Sequence, residues 1–140
     1  MLFGEYQHSI DAKGRVNFPS KLREGLGTTF MICKGLGDPC LFVYSMEGFE
    51  EFQRQLNELP MEESKKIKRF VFAGACEAEP DKQGRIVIPA SLRAYASLTK
   101  DVMVIGASGR AEIWDKEKWD AQQNNMDMAA MLEAMQQLGI

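Results

Sequence analysis

Several chemical features are scarce or missing in this sequence. It contains one histidine and three cysteines, and no apolar run approaches the length of about 18 residues that a transmembrane helix needs. The cysteines, Cys33, Cys40 and Cys76, are odd in number and lack C-x-x-C spacing, which argues against a disulfide framework and a structural zinc site. The N-terminus has no basic segment followed by an apolar run, so we expect no signal peptide. We expect reduced thiols in a cytoplasmic protein.

Motifs of the common enzyme classes are also missing. The sequence has no G-x-S-x-G nucleophile elbow, no P-loop and no G-x-G-x-x-G fingerprint. Its single histidine, His8, lies in a predicted strand, where histidine usually has a structural role or is exposed. No residue cluster has metal-ligand spacing, so we expect no metal and no other cofactor. The carboxylates that could form a catalytic pair are Asp11 and Asp81, although the turn around each already explains its presence.

The composition is that of an ordinary globular domain. The chain has 140 residues, of which 45% are hydrophobic and 26% are charged. A chain of this length buries about two-thirds of its unfolded surface, which is enough for a core without disulfides. Lys and Arg number 17 against 20 Asp and Glu, so the net charge is −3 at pH 7. The total charge therefore does not indicate nucleic-acid binding, which would depend on where the basic residues lie.

An internal repeat organises the chain. Residues 11–23 are DAKGRVNFPSKLR and residues 81–93 are DKQGRIVIPASLR, at a constant offset of 70. Six of these thirteen positions are identical: Asp11/Asp81, Gly14/Gly84, Arg15/Arg85, Pro19/Pro89, Leu22/Leu92 and Arg23/Arg93. The pattern indicates a duplicated β-rich unit, and two copies are too few for a solenoid. We expect the copies to close on each other as one pseudo-symmetric barrel.

Each repeat has the same local pattern. Asp-x-x-Gly predicts a tight turn, because aspartate accepts hydrogen bonds from nearby N–H groups and glycine adopts positive φ. The predicted turn-shaping residues are Asp11, Gly14, Asp81 and Gly84. We expect a three-residue hairpin loop here, followed by a strand with alternating apolar residues. A proline then ends each strand and opens a short helix.

Further strands and a longer helix follow in each repeat. Strands are predicted at five places: 2–10, 29–34, 41–44, 102–105 and 111–114. Ser45 and Asp115 then suit the N-cap positions of helices. The first of these helices has four apolar residues spaced to share one face: Phe49, Phe52, Leu56 and Leu59.

We divide the chain into four segments. Residues 1–59 are the first repeat, 60–73 a connector helix that begins after Pro60, 74–122 the second repeat, and 123–140 a methionine-rich tail helix. The tail holds four of the nine methionines at helical spacing. That apolar face either packs back onto the domain or contacts another protomer or a partner.

Basic residues concentrate in the repeated motif. Residues 11–23 hold four basic residues against one acidic residue, and residues 81–93 hold three against one. The candidate DNA-binding residues are Lys13, Arg15, Lys21, Arg23, Lys82, Arg85 and Arg93. Arginines and lysines at turn tips can reach phosphates, and a guanidinium can form a forked contact with guanine in the major groove.

Each arginine also has a structural alternative. From spacing alone, Arg15 and Arg85 equally well form a salt bridge to the aspartate of their own turn. Arg23 and Arg93 have a stronger structural alternative, which is to cap the short helix or to pair locally. The first turn carries Lys13 where the second has Gln83, so Arg15 and Lys13 are the first candidates for contact with bases or phosphates.

The motif D-x-x-G-R-[VI]-x-[FI]-P-x-x-L-R resembles that of the AbrB/SpoVT family of swapped-hairpin β-barrel transcription factors. Two copies in a chain of this length resemble the MraZ family, and the resemblance covers nearly the whole chain. It implies an α+β, β-rich fold, with a pseudo-two-fold swapped-hairpin barrel built from the two repeats and helices outside. The family pattern carries over onto Asp11 and Arg15, and onto Asp81 and Arg85.

The resemblance also implies a function. It implies a sequence-specific DNA-binding transcriptional regulator that represses or tunes its own operon and the division and cell-wall gene cluster, acting on repeated G-rich promoter boxes. The expected partners are double-stranded DNA and further copies of the chain in a ring, without a membrane or a small-molecule substrate, at the nucleoid. A ring would place several loops along repeated boxes and so raise the effective affinity.

Two other classes of function remain open. One is an oligomeric interaction scaffold that does not bind specific DNA and whose arginines only hold turns. The other is an enzyme on a related barrel, which requires a concave pocket that joins Asp11 and Asp81.

Overall fold

Eight strands and six helices follow one another along the chain, and a computed structural model describes all residues, 1–140. The strands are β1 Leu2–Ser9, β2 Arg15–Asn17, β3 Phe30–Lys34, β4 Leu41–Ser45, β5 Cys76–Ala78, β6 Arg85–Val87, β7 Asp101–Ser108 and β8 Ala111–Asp115. The helices are α1 Ser20–Leu26, α2 Met46–Leu56, α3 Met61–Phe72, α4 Ala90–Tyr95, α5 Lys116–Asn124 and α6 Met128–Gln137. None of these helices combines the length and the apolar character that crossing a membrane requires.

The two repeats exchange strands. Six strands form an antiparallel sheet in the order β1-β7-β8-β4-β3-β5, while β2 and β6 pair with each other in a separate two-stranded ribbon. Strand β1 of the first repeat pairs with β7 of the second, and β3 pairs with β5 in the same way. The expected α+β, β-rich class is confirmed, and closure of the strands into a barrel stays a prediction.

The expected three-residue loop forms at each Asp-x-x-Gly turn, but the expected pairing of the two flanking strands is wrong. The turn forms, with φ of 82° at Gly14 and 79° at Gly84, but the strands on its two sides do not pair with each other. Strand β1 continues along β7, whereas β2 crosses to β6. The partner of each strand lies in the other repeat, which is why local turn chemistry alone pointed to the wrong pairing.

The six-stranded sheet is packed on both faces. Alternate residues of β4 go to different cores: Leu41 and Val43 join the larger cluster, while Phe42 and Tyr44 join the smaller one. The larger cluster contains the inner residues of the ribbon and of α1 and α4. The smaller cluster contains apolar residues of α2 and α3. This period of two is the expected consequence of side chains that alternate across a pleated strand.

The predicted helix caps are confirmed. Ser45 Oγ accepts a hydrogen bond of 2.9 Å from the Gly48 N–H, and Asp115 Oδ2 accepts one of 3.4 Å from Lys118 N. The predicted extension of the first apolar face to Leu59 is wrong, because α2 ends at Leu56 and Leu59 is 41% exposed. A proline follows Leu59, and the residue before a proline is disfavoured in helical conformation.

The tail forms a helix that does not pack on the domain. Helix α6 has no buried residue, and its apolar residues Met128, Met131, Leu132 and Met135 are between 40% and 56% exposed. The alternative in which this face packs back onto the domain is therefore wrong. The short α6 is held at its start by Asp127 Oδ1, which accepts a hydrogen bond from Ala130 N.

Two arginines tie the short helices to the strands before them. Arg23 Nε donates to the Phe18 carbonyl at 3.1 Å, and Arg93 Nη1 donates to the Ile88 carbonyl at 2.9 Å. Both carbonyls belong to the residue that precedes the proline of the motif. These bonds fix the guanidinium groups at the ends of the ribbon.

The same guanidinium groups lie against the turns of the opposite repeat. Arg23 approaches Gly84, where a Cβ would lie 3.0 Å from Nη2, and a Cβ at Gly14 would overlap Nη1 of Arg93. The positive φ and the close approach both require glycine at these two positions. Each repeat therefore completes the turn of the other.

We expect Gly14→Ala to lower the free energy of unfolding by about 1–3 kcal/mol more than Gly37→Ala does. Both glycines have positive φ, 82° and 90°, so both variants carry backbone strain. Nothing lies within 4 Å of a Cβ at Gly37, so the difference reports the contacts that a Cβ at Gly14 would make with Arg93 Nη1 and the Ile88 carbonyl oxygen. Urea denaturation of the two variants measures it, and equal losses would contradict the interlocked turn.

Candidate nucleic-acid interface

The first Asp-x-x-Gly-Arg turn is closed by hydrogen bonds that converge on its aspartate. Asp11 Oδ1 accepts from the backbone N–H groups of Lys13 and Arg15, both at 2.9 Å. Asp11 Oδ2 accepts from Arg15 Nε at 2.7 Å, which completes a salt bridge. The backbone adds two bonds of 3.0 Å, from Asp11 N to Arg15 O and from Gly14 N to Asp11 O. One carboxylate thus fixes both the turn and the arginine.

The second turn repeats this arrangement bond for bond. Asp81 Oδ1 accepts from the backbone N–H groups of Gln83 and Arg85 at 2.9 Å, and Oδ2 accepts from Arg85 Nε at 3.1 Å. The backbone bonds from Asp81 N to Arg85 O and from Gly84 N to Asp81 O are 2.9 Å each. The side chain at the third position, Lys in one turn and Gln in the other, takes no part in this network.

These bonds change the acidity of the two carboxyl groups. The hydrogen bond from the Arg15 backbone N–H lowers the pKa of Asp11 below its usual value of 3.8, and the Arg15 side chain and the Lys13 N–H act in the same direction. The Arg85 backbone N–H lowers the pKa of Asp81 in the same way. Both aspartates are therefore charged at neutral pH and hold their arginines electrostatically.

The terminal guanidinium nitrogens of Arg15 and Arg85 are unpaired. Only Nε of Arg15 and of Arg85 is used by the turn, and neither terminal nitrogen of these two residues makes a hydrogen bond within the protein. Their side chains are 34% and 32% exposed. A guanidinium that is held by Nε while Nη1 and Nη2 are unpaired can make a two-pronged contact with guanine or phosphate.

The ribbon brings both arginines to one surface. Val16 and Ile86 face the core, at 1% and 2% exposure. The register pairs Arg15 with Val87 and Asn17 with Arg85 on the opposite side. Residues that lie opposite each other in an antiparallel pair share a face. We call this outward surface the ribbon face: Arg15, Asn17, Arg85 and Val87.

The remaining basic candidates lie around the ribbon face or beneath it. Lys13 and Lys82 are exposed in the two turns, Lys21 is exposed on α1, and none of these three forms a salt bridge. Arg23 and Arg93 are partly buried and hold the helix and turn contacts described above. The structure thus gives the last two a structural role, and their contact with DNA stays a prediction.

Sequence reasoning did not single out Asn17 and Val87. Both are exposed, Val87 to 57%, and both stand on the ribbon face beside an arginine of the other repeat. The signal was present, because residues 15 and 17 must share a side of any strand in which Val16 is buried.

The enzyme alternative requires a pocket that joins Asp11 and Asp81. None of the five surface cavities is lined by both residues. Burial raises the pKa of Cys33 to about 12 and also raises the pKa of Cys40 and Cys76, so these thiols are poor nucleophiles at neutral pH. Each aspartate is fully occupied by its own turn.

A protein-family model matches this chain. The model of the family described as "MraZ protein" and as antitoxin-like matches the chain twice, over residues 1–69 and 71–138. The two matches together cover nearly the whole chain and begin 70 residues apart, the offset of the repeated motif.

Similar proteins carry the same family name. A protein of Acetivibrio thermocellus named "Transcriptional regulator MraZ" is 53% identical over an alignment of 144 positions, which covers the whole of both chains. A protein of the same name from a Thermoanaerobacter species is 52% identical over 92% of this chain and 91% of its own. One from Clostridium beijerinckii is 46% identical over the whole of both chains.

We expect the charge on the two turn aspartates to stabilise the fold at pH 7 and to lose this effect in acid. A pKa that is lowered in the folded state gives stability above the unfolded pKa, which is lost as pH falls through the folded pKa. Asparagine keeps the Oδ1 acceptor of the two backbone N–H groups, so the double variant Asp11→Asn/Asp81→Asn reports the loss of the charge together with the Oδ2 acceptor of the arginine. Urea denaturation should show it less stable than the unmodified protein at pH 7. The gap should narrow at about pH 3 and below; a gap that is constant with pH would contradict the role of the charges.

Proposed function

This chain belongs to the MraZ family, and from that premise we propose that it is a transcriptional regulator that binds specific DNA sequences through its ribbon face and the two adjoining turns. The observation that carries the proposal is the pair of arginines, Arg15 and Arg85, held by Nε on one exposed surface with their terminal nitrogens unpaired. A two-stranded ribbon fits the major groove of B-DNA, where guanine presents the O6 and N7 acceptors that a guanidinium recognises.

Three exposed lysines around the ribbon face also support DNA binding there. Lys13, Lys82 and Lys21 are exposed and lack acidic partners, which suits them to contact phosphates. Acidic side chains lie on the helices that pack against the other side of the sheet, including Glu47 and Glu51 of α2. A protein with a net charge of −3 thus keeps a basic surface for an anionic duplex.

We further propose that the targets are repeated G-rich boxes in the promoter of its own operon, within the division and cell-wall gene cluster, and that binding represses transcription. This part rests on the family resemblance and on the arginine chemistry. The protein would act at the nucleoid as a ring of identical chains, because several linked ribbon faces bind a repeated site far more tightly than one. The chain boundaries proposed for the two repeats, 1–59 and 74–122, each contain one complete turn.

An interaction scaffold is the second candidate function. The exposed apolar residues of α6 favour it, because a helix that buries none of its methionines and leucines has an unused contact surface. In a scaffold the turn arginines would serve only the salt bridges to Asp11 and Asp81. It predicts weak DNA binding without preference for sequence.

We expect Arg15→Ala and Arg85→Ala each to weaken binding to the protein's own upstream region by roughly 1–3 kcal/mol per contacting site. Titration of a labelled duplex across a range of salt concentrations measures the loss. Arg15→Lys keeps the charge and removes the fork, so it should lose preference over random duplex while its salt dependence stays near that of the unmodified protein.

The matched control is Arg54→Ala. Arg54 lies on α2 and forms an exposed salt bridge to Glu51. Its replacement by alanine removes the same positive charge at a position away from the ribbon face. It should bind like the unmodified protein. If the folded Arg15 and Arg85 variants also bound like it, the turns would be structural only. If the unmodified protein showed no preference over random duplex, the scaffold would be the better explanation.

We expect sedimentation equilibrium to give the mass of an assembly of two or more chains. Shortening the duplex until it holds a single box should weaken binding by roughly 100-fold or more, because the linked contacts are lost. A monomer whose affinity is independent of duplex length would contradict the ring.

A further inference from the structure

We propose that Asn17 and Val87 make the two ends of the ribbon face chemically different, so that the protein binds its DNA site in one orientation. This inference rests on the proposed function. The arginines of the ribbon face are identical in the two repeats, whereas Asn17 and Val87, which are also 70 positions apart, are not. They are the positions at which the pseudo-symmetry of this surface is broken.

The register places each of these residues beside an arginine of the other repeat. Bonds from Phe18 N to Gly84 O and from Ile88 N to Gly14 O, both 2.9 Å, continue the ladder beyond the ribbon. Hydrogen-bonded and non-hydrogen-bonded pairs alternate, so Asn17–Arg85 and Arg15–Val87 are non-hydrogen-bonded pairs, whose Cα atoms lie about 4.5 Å apart.

The two pairs are spaced to address different bases. Residues on the diagonal of an antiparallel pair are about 7–8 Å apart, and Asn17 and Val87 stand on such a diagonal. Neighbouring bases along one DNA strand are about 3.4 Å apart. The diagonal therefore spans about two base-pair steps, so Asn17 and Val87 face separate base pairs.

Neither side chain has a role within the protein. The Asn17 amide makes no side-chain hydrogen bond, and Val87 is 57% exposed, although its neighbours in the motif are buried. Asparagine recognises adenine through N6 and N7, and an apolar side chain contacts the methyl group of thymine. We assign adenine to the end with Asn17 and Arg85, and thymine to the end with Val87 and Arg15.

The test is affinity selection from a library of random duplexes, followed by titration of single-base variants of the selected site. The unmodified protein should select a motif with adenine beside one guanine and thymine beside the other. Replacing the adenine beside the Arg85 guanine should weaken binding roughly 5- to 150-fold. Asn17→Val should remove this dependence and keep the preference for guanine. Val87→Asn should create a preference for adenine at the other end, which makes the motif more symmetric.

The exchanged double variant Asn17→Val/Val87→Asn should move the adenine preference from one end to the other. Gln7→Val is the matched control, because it changes an exposed amide to valine on β1, away from the ribbon face, and should leave the motif unchanged. Valine is favoured in strands, so Asn17→Val should stay folded, which thermal unfolding checks.

The outcomes separate this inference from the proposed function. If the unmodified protein selects a motif and the folded Asn17 and Val87 variants select the same motif with the same affinities, the inference is wrong and the proposed function stands. If the unmodified protein selects no motif at all, the proposed function fails and takes the inference with it. A selected motif with the same base beside both guanines would also overturn the inference.

Discussion

Backbone hydrogen bonds between β2 and β6 hold together two strands of three residues each, neither of which has another partner in the sheet. An isolated two-stranded ribbon of this size is marginal in water, so it depends on the core beneath it. Val16 and Ile86 supply that anchorage from the centre of the ladder. The arginine contacts to Gly14 and Gly84, and the position of Arg15 and Arg85 on one outward face, all depend on this one ladder.

The aspartate of each turn shapes the backbone and also orients the arginine that is proposed to contact DNA. Asp11 uses one oxygen to shape the turn and the other to hold Arg15, so the guanidinium is oriented before any partner arrives. Arginine otherwise loses about 2 kcal/mol of side-chain entropy when it is immobilised, and a pre-oriented arginine has lost part of that already. The salt bridge and the proposed DNA contact are therefore compatible, since they would use different nitrogens of one guanidinium.

Local chemistry made part of this molecule predictable from the sequence. The Asp-x-x-Gly turns, the short helices after each proline and the N-caps Ser45 and Asp115 depend on neighbours within a few residues. The exchange of strands depends on partners about 70 residues away, so turn chemistry suggested a hairpin that the structure does not contain, and only the family resemblance pointed to the exchange. The tail helix was predictable from its period, whereas its exposure was not, because periodicity does not say what an apolar face packs against.

The exchange of strands also governs when the chain can fold during its synthesis. In the order of translation, β3 and β4 form a local hairpin, but β2 finds its partner only when residues 85–87 have emerged, and β1 waits for residues 101–108. The first repeat therefore leaves the ribosome with its earliest strand unpaired for most of the time that the chain is being made. Pairings of such long sequence separation fold slowly, and unpaired strands are open to wrong partners. Until residues 101–108 have emerged, β1 of one nascent chain is open to pairing with the β7 segment of another chain.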